Sequence, residues 1–320
     1  MTGTQNRLAN FPISFFSMIM GLAGLTIAWQ KAEHVFGVDL SINPVLLALT
    51  SSVFVVVSLI YATKYVTRRN DVLNEFKNPI KLHFFPTISI SLLLISVAFL
   101  KVDHAISLPI WIAGSVIHFM FTLYTVNAWI HHEHFEVKHL NPAWFIPAVG
   151  NVLVPVAGIQ LGFVEISWFF FSIGMLFWII LLTIIFNRVM FHNPMQEKLM
   201  PTLFILIAPP AVGFIAYMNL TGELDAFARV LYFAGLFLTL LMLVQIKRFA
   251  KLQFFLSWWA YSFPLAAITI ASLHMYELTQ KLPYQYIGGA LLTLLTVVVA
   301  FLLYKTAGAV KNHKICIEEH

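Results

Sequence analysis

The sequence predicts an all-α integral membrane protein of ten transmembrane helices, paired as five helical hairpins with the odd-numbered helices forming an inner ring. Three observations predict it. The 320 residues are 60% hydrophobic and 10% charged, whereas soluble domains carry about 25% charged residues. Ten apolar runs approach the length of about 20 residues that a bilayer crossing takes. Interior prolines and small residues collect in alternate runs.

The spans read as 11–30, 44–66, 83–101, 106–130, 142–163, 166–189, 199–220, 225–246, 252–276 and 284–305, within one membrane domain over 1–320. Met1–Asn10 is short, polar and without a signal-peptide pattern, so the first run itself directs insertion. The joints are short, which makes successive helices antiparallel neighbours. Only the loop Thr67–Leu82 and the tail after Lys305 are sizeable outside the membrane. No stretch reads as a soluble domain, and the alternation of an outer-membrane barrel is missing.

Charge sets the orientation. With the N-terminus inside, 15 of the 19 Lys and Arg residues fall on the inner side; Lys31, Lys101 and Lys281 fall outside, and Arg229 lies in the eighth span. Under the positive-inside rule both termini are cytoplasmic, in the cell's inner (plasma) membrane. The net charge of +5 therefore follows the membrane and is no footprint for nucleic acid. The single cysteine, Cys316, leaves no disulfide framework or cysteine metal site.

The odd spans contain Pro86, Pro147, Pro155, Pro209, Pro210 and Pro264, and Pro12 opens the first. An interior proline breaks or kinks a helix, and membrane proteins tolerate this where the break is buried in protein or lines a watery cavity. The same spans collect Gly21, Gly24, Gly150, Gly158 and Gly213. Even spans have proline only at their starts (Pro44, Pro109) or just before (Pro283) and are bulky, as in Trp168–Ile185. This predicts broken inner helices around an axial gap and smooth outer ones. The competing account is that Pro and Gly are commoner in membrane helices and that small residues serve close packing.

In the ninth span, Trp258-Trp259-Ala260-Tyr261-Ser262-Phe263-Pro264-Leu265-Ala266-Ala267 sets a large ring before a proline and small residues after it, as a plug beside a hinge. Phe263 lies 12 residues beyond Lys251, roughly 18 Å along an α-helix and near mid-membrane. Packing against lipid or core is the ordinary fate of a phenylalanine in such a chain. Phe84 and Phe85, ahead of Pro86, and Phe15 and Phe16 in the first span are weaker candidates for the axis; Phe16 and Phe85 are assigned to its wall, with Pro86, Pro155, Pro209 and Pro210 as hinge or lining.

These motifs carry a resemblance. Phe11-Pro12 with Met20-Gly21-Leu22-Ala23-Gly24-Leu25 and Trp29, Asn78-Pro79-Ile80-Lys81 with His83-Phe84-Phe85, Ala208-Pro209-Pro210 and Trp258–Ala267 resemble the tellurite-resistance and dicarboxylate transporter family, which includes the plant guard-cell slow anion channels. The resemblance implies a homotrimer in which each protomer has its own central pore lined by the five odd helices. It implies that a ninth-helix phenylalanine, here Phe263, occludes that pore. It favours a channel for small anions such as chloride or nitrate; the rival is a carrier for dicarboxylate, sulfite or tellurite oxyanions, working by alternating access. The family often has His-Pro where this chain has Asn78-Pro79. Phosphorylation control through long regulatory tails is not expected, since ten residues precede the first span and about fifteen follow the last.

The odd spans hold no Asp, Glu, Lys or Arg away from their ends. An intramembrane charge usually marks an ion or proton route, so a carboxylate proton relay is not expected. Weak sites made of hydroxyls and backbone N–H groups at helix breaks would let an ion leave as well as enter. Lys81, Lys247 and Lys251 at the cytoplasmic mouth would concentrate anions, although each also simply obeys the positive-inside bias.

His131-His132-Glu133-His134, with Glu136 and His139, is the one dense ligand cluster. A membrane di-iron oxygenase needs several separated histidine boxes, so a solvated or pH-responsive loop is expected and no metal is assigned. His118 and His274 lie within spans as conceivable haem ligands. A membrane oxidoreductase is thus the remote alternative; no cofactor and no enzyme activity are expected.

Overall fold

The computed structural model describes residues 7–38, 40–131 and 135–316. Among these, nine helices are long and apolar enough to cross a membrane: Ile13–Phe36, Ile42–Thr67, Lys81–Phe99, His104–His131, Val164–Phe191, Glu197–Thr221, Ala226–Val244, Leu256–Thr279 and Leu282–Lys311. The shorter apolar stretch Pro142–Gly158 occupies the place of the fifth span, so the ten-span order stands. A short surface helix, Arg69–Lys77, follows the second span.

Odd and even spans differ in burial as their composition predicts. Over their most apolar stretches, the first, third, seventh and ninth spans are 67–83% buried and the even spans 22–39%. Each even span shows large apolar side chains outward, such as Leu59, Met120, Ile179, Phe237 and Val297. With no water in the hydrocarbon, such surface is suited to lipid. The inner helices close a ring: the first packs on the third and ninth, the third on the fifth, the fifth on the seventh, and the seventh on the ninth. Each outer helix packs beside its hairpin partner.

The inner helices are not kinked mid-helix, as the prolines alone suggest. Each begins as a 3-10 turn and continues as α-helix: Ile13–Phe15 then Phe16–Phe36, Lys81–Phe84 then Thr87–Phe99, Glu197–Ile207 then Ala208–Thr221, and Leu256–Tyr261 then Ser262–Thr279. The fifth alternates twice, with a second 3-10 stretch at Gly150–Leu153 between Phe145–Val149 and Val154–Gly158. The prolines mark the junctions. Pro86 precedes the third-span α segment, and Pro155, Pro209, Pro210 and Pro264 lie in the first turns of theirs. There a proline forfeits no α-helical hydrogen bond. Pro109 departs from expectation in the other direction: it lies inside His104–His131.

At the N-terminal ends of the inner ring, a buried ion pair fixes the first hairpin. Lys64 Nζ donates to Glu75 Oε2 at 2.8 Å and to the Phe11 carbonyl at 2.8 Å. The Tyr61 hydroxyl donates to Glu75 Oε2 at 3.1 Å, and the Ile13 N–H to Oε1 at 2.8 Å. One carboxylate thus ties the second span, the surface helix and the first inner turn together.

Candidate pore site

Within the ring lies a cavity of about 60 Å³ walled by all five inner spans. Its lining comprises Ser17 and Met20 of the first, Phe84 and Ile90 of the third, six residues of the fifth from Phe145 to Leu153, Ile205, Ala208, Pro209 and Val212 of the seventh, and Trp259, Ala260, Phe263 and Pro264 of the ninth. None of these side chains is charged, and Ser17 supplies the one hydroxyl.

The ninth span owes its position to small partners. A Cβ on Gly21 would lie 2.2 Å from Ser262 Oγ, and one on Gly24 would lie 2.8 Å from the Ala266 Cβ. Glycine there lets the two helices approach to backbone contact. The same Gly24 position lies 3.5 Å from Cδ2 of Phe263, so the ring leans on the first span. One turn earlier, Trp259 is anchored outward, its Nε1 donating to Thr306 Oγ1 of the tenth span at 3.0 Å.

At four of the junctions the N–H that follows the 3-10 turn is engaged. The N–H of Phe16 is bonded to the Ile13 carbonyl, that of Phe85 to Leu82, that of Ala208 to Ile205 and that of Ser262 to Trp259. At these four positions the 3-10 turns use the N–H groups that the helix breaks were expected to offer an ion.

The assigned residues divide. Phe263, Pro264 and Pro209 border the cavity. Phe16 and Phe85 do not. Phe16 packs edge-on against Phe54 and Tyr61, at 6.2 and 6.1 Å between ring centres, and Phe85 against Phe76 at 4.8 Å. Both face a separate groove of about 440 Å³ beside the second span. Successive helical residues point about 100° apart, so their neighbours Ser17 and Phe84 take the axial positions. Pro86, Pro155 and Pro210 are buried at junctions, outside the lining. The estimate of 18 Å from Lys251 to Phe263 assumed continuous α-helix; an irregular turn over 251–255 and the 3-10 stretch intervene. Lys81 begins the third-span turn, while Lys247 and Lys251 are exposed before the ninth span; all three stand at N-terminal ends of inner helices.

At the opposite ends, the structure assembles charges that are far apart in sequence. Lys31 and His274 share Glu277, with the His274 Nδ1 2.7 Å from its Oε2 and the His34 Nε2 3.2 Å from Oε1. His274 is thus part of a surface ion network, and His118 lies elsewhere, 2.9 Å from Ser89 Oγ.

A polar stripe on the fourth span escaped the sequence reading. Ser115, His118, Thr122 and Thr125 recur at helical spacing and are all buried. Thr122 Oγ1 lies 2.7 Å from the Pro147 carbonyl, and the Asn151 amide donates to Thr122 Oγ1 at 2.9 Å. The stripe therefore grips the broken fifth span.

His132–His134 of the histidine cluster lie outside the described residues. Of the rest, the Glu136 N–H donates to His139 Nδ1 at 3.1 Å, and Lys138 pairs with Glu136 at 3.0 Å, holding that exposed carboxyl below its ordinary range. Among the described residues no group of three potential metal ligands comes together.

Comparison with known proteins bears on this geometry. The family model SLAC1, described as voltage-dependent anion channel, matches residues 10–307. The chain is 28% identical to the S-type anion channel SLAH2 of Arabidopsis thaliana over 91% of its own length and 58% of that protein's, so it spans little more than half of that relative. An uncharacterized transporter of Methanocaldococcus jannaschii is 25% identical, covering 97% of this chain and 98% of its own. The tellurite resistance protein TehA homolog of Haemophilus influenzae is 27% identical over 86% and 84% respectively.

Proposed function

The chain belongs to the SLAC1 family of voltage-dependent anion channels, and from that membership we propose that it passes small anions of the chloride or nitrate kind through the axial cavity, with Phe263 as the occluding gate. The observation that carries this reading is a chargeless cavity walled by all five inner spans, with the Phe263 ring on its wall. A conduit without fixed charge binds its ion weakly, which permits exit as well as entry. The ring narrows an apolar passage, and apolar constrictions gate by excluding water. Pro264 and Pro209 bound the junctions next to it and act as the hinge.

Lys81, Lys247 and Lys251 form the positive cytoplasmic entrance. This assignment rests on their place at the N-terminal ends of the inner helices together with the positive-inside bias. Both termini are cytoplasmic in this reading, the membrane is the cell's inner membrane, and the outward apolar faces of the even spans serve lipid and the contacts of a homotrimer. The protein acts in transport and not as an enzyme.

A carrier for oxyanions is the second reading, favoured by the similarity to a protein named for tellurite resistance. Reversal potentials in asymmetric mixtures of chloride, nitrate, malate and sulfite separate the two. A Nernstian response to the anion gradient is expected; stoichiometric coupling to protons would replace the channel with the carrier.

A further inference from the structure

We propose that the mouth of the inner ring opposite Lys81, Lys247 and Lys251 holds a binding site for a small planar oxyanion such as nitrate, built from Lys31, His34 and His274 and occupied by the protein's own Glu277 carboxylate. The proposal deepens the channel reading and rests on the inner ring being the anion's path.

The helix faces that line the cavity run on to these charges. Lys31 lies fourteen residues beyond Ser17, His34 fourteen beyond Met20 and Glu277 fourteen beyond Phe263; Ser17, Met20 and Phe263 all border the cavity. Each pair falls within one continuous α segment, Phe16–Phe36 or Ser262–Thr279. There, fourteen steps of 100° end about 40° short of four full turns, about 21 Å further along the helix. Halfway, seven residues beyond Met20 and Phe263, stand Ile27 and Ile270. They are the partly exposed members of the otherwise buried runs 19–28 and 264–273. The axial face therefore continues from the cavity to the charged mouth.

At that mouth the two oxygens of Glu277 engage different partners. Lys31 Nζ donates to Oε2, His274 Nδ1 lies 2.7 Å from the same oxygen, and His34 Nε2 lies 3.2 Å from Oε1. An O–C–O edge thus fills a gap bounded by one ammonium and two imidazoles. Nitrate presents an O–N–O edge of the same shape and the same charge. An ammonium has donors only, and its hydrogen bonds to an anionic oxygen are stronger than neutral ones. Exchanging one anion for another leaves Lys31 paired throughout, so no uncompensated charge is created. Lys101, just past the α segment of the third span, lies within electrostatic reach of Lys31 and Glu277 and adds to the positive field. The neighbouring carboxylate, Glu33, is engaged elsewhere, accepting from the Asn43 amide of the second span.

Glu277 is placed to leave. It stands in the last turn of its helix, and 32% of its side chain is exposed, so its carboxylate reaches water by a rotamer change alone. Ion pairs open to solvent contribute little to stability. The carboxylate and an arriving oxyanion therefore compete for one set of partners, and the apparent affinity for the oxyanion is reduced by the fraction of time that Glu277 holds the place.

The test uses the full chain in nanodiscs, with sodium nitrate replacing sodium chloride at constant ionic strength. The readout is thermal unfolding, since a ligand that binds the folded chain raises its unfolding temperature. Chloride matches one oxygen position and not two, so nitrate should stabilise more. Glu277→Gln removes the competing charge and keeps the side-chain size; it should bind nitrate about tenfold more tightly than wild type. Lys31→Met in the Glu277→Gln background should abolish that gain. Glu277→Asp, with the charge on a shorter stem, should fall between wild type and Glu277→Gln, and it decides the outcome if Glu277→Gln does not fold. Equal nitrate dependence in wild type and the Glu277 variants, or a gain that Lys31→Met leaves intact, would overturn the site. Anion currents from the same preparations keep the two readings apart. The expected nitrate pattern with no current, in Phe263→Ala as in wild type, would sink the channel and leave the site standing. Current with unfolding indifferent to nitrate would overturn the site and leave the channel.

Discussion

Replacing Phe263 by alanine is the perturbation with the largest expected effect. The cavity of about 60 Å³ holds a few waters but not an anion with its hydration shell, and the Phe263 ring forms part of its wall. Burying a polar group without its hydrogen-bond partner costs about 1–3 kcal/mol in proteins. If ring removal lets a permeating anion keep one such contact, the barrier falls by that amount, which is about a tenfold to hundredfold rise in rate at 1.36 kcal/mol per decade. The variant should fold. A fully packed Phe→Ala costs about 3–5 kcal/mol; Phe263 is half-buried against an existing cavity, so about 2 kcal/mol is expected. The assay is macroscopic and single-channel anion current in planar bilayers at matched protein density, with thermal unfolding as the folding control. Wild-type current from a well-folded Phe263→Ala protein would refute the gate.

Three other outcomes follow from the geometry. Glu75→Ala leaves Lys64 as a buried unpaired charge and should destabilise by about 3–5 kcal/mol, while Lys64→Met with Glu75→Gln should recover much of the loss; thermal unfolding in detergent ranks them. Gly21→Ala drives a methyl into Ser262 and should cost about 1–3 kcal/mol by overpacking, whereas Gly289→Ala and Gly308→Ala meet nothing within 4 Å and should be neutral or slightly stabilising by the same measurement. Neutralising Lys81, Lys247 and Lys251 together to Gln should lower current at low salt and leave it nearly unchanged near 1 M, where the screening length shrinks to about 3 Å; a salt-independent loss would show that the lysines act in some other way.

Burial in a membrane protein leaves a direct mark on composition. The number of spans, the positive-inside bias and the division into inner and outer helices were legible because lipid selects bulky apolar side chains, while helix–helix contact selects small ones. That Phe263 and Pro264 border the cavity was readable for the same reason, as one large ring set among small residues. Which of two adjacent residues faces the axis was not. Phe84 rather than Phe85, and Ser17 rather than Phe16, line the cavity, and that choice depends on the rotation of each helix about its own axis. The rotation depends on where 3-10 winding passes into α, since the two differ in residues per turn, and packing in the ring decides that point. Tertiary structure alone also brought the unpartnered His118 edge against Gly150 and joined Lys31, His34, His274 and Glu277 into one network. Those contacts join residues on different helices, and a pattern read along one chain has no means to register them.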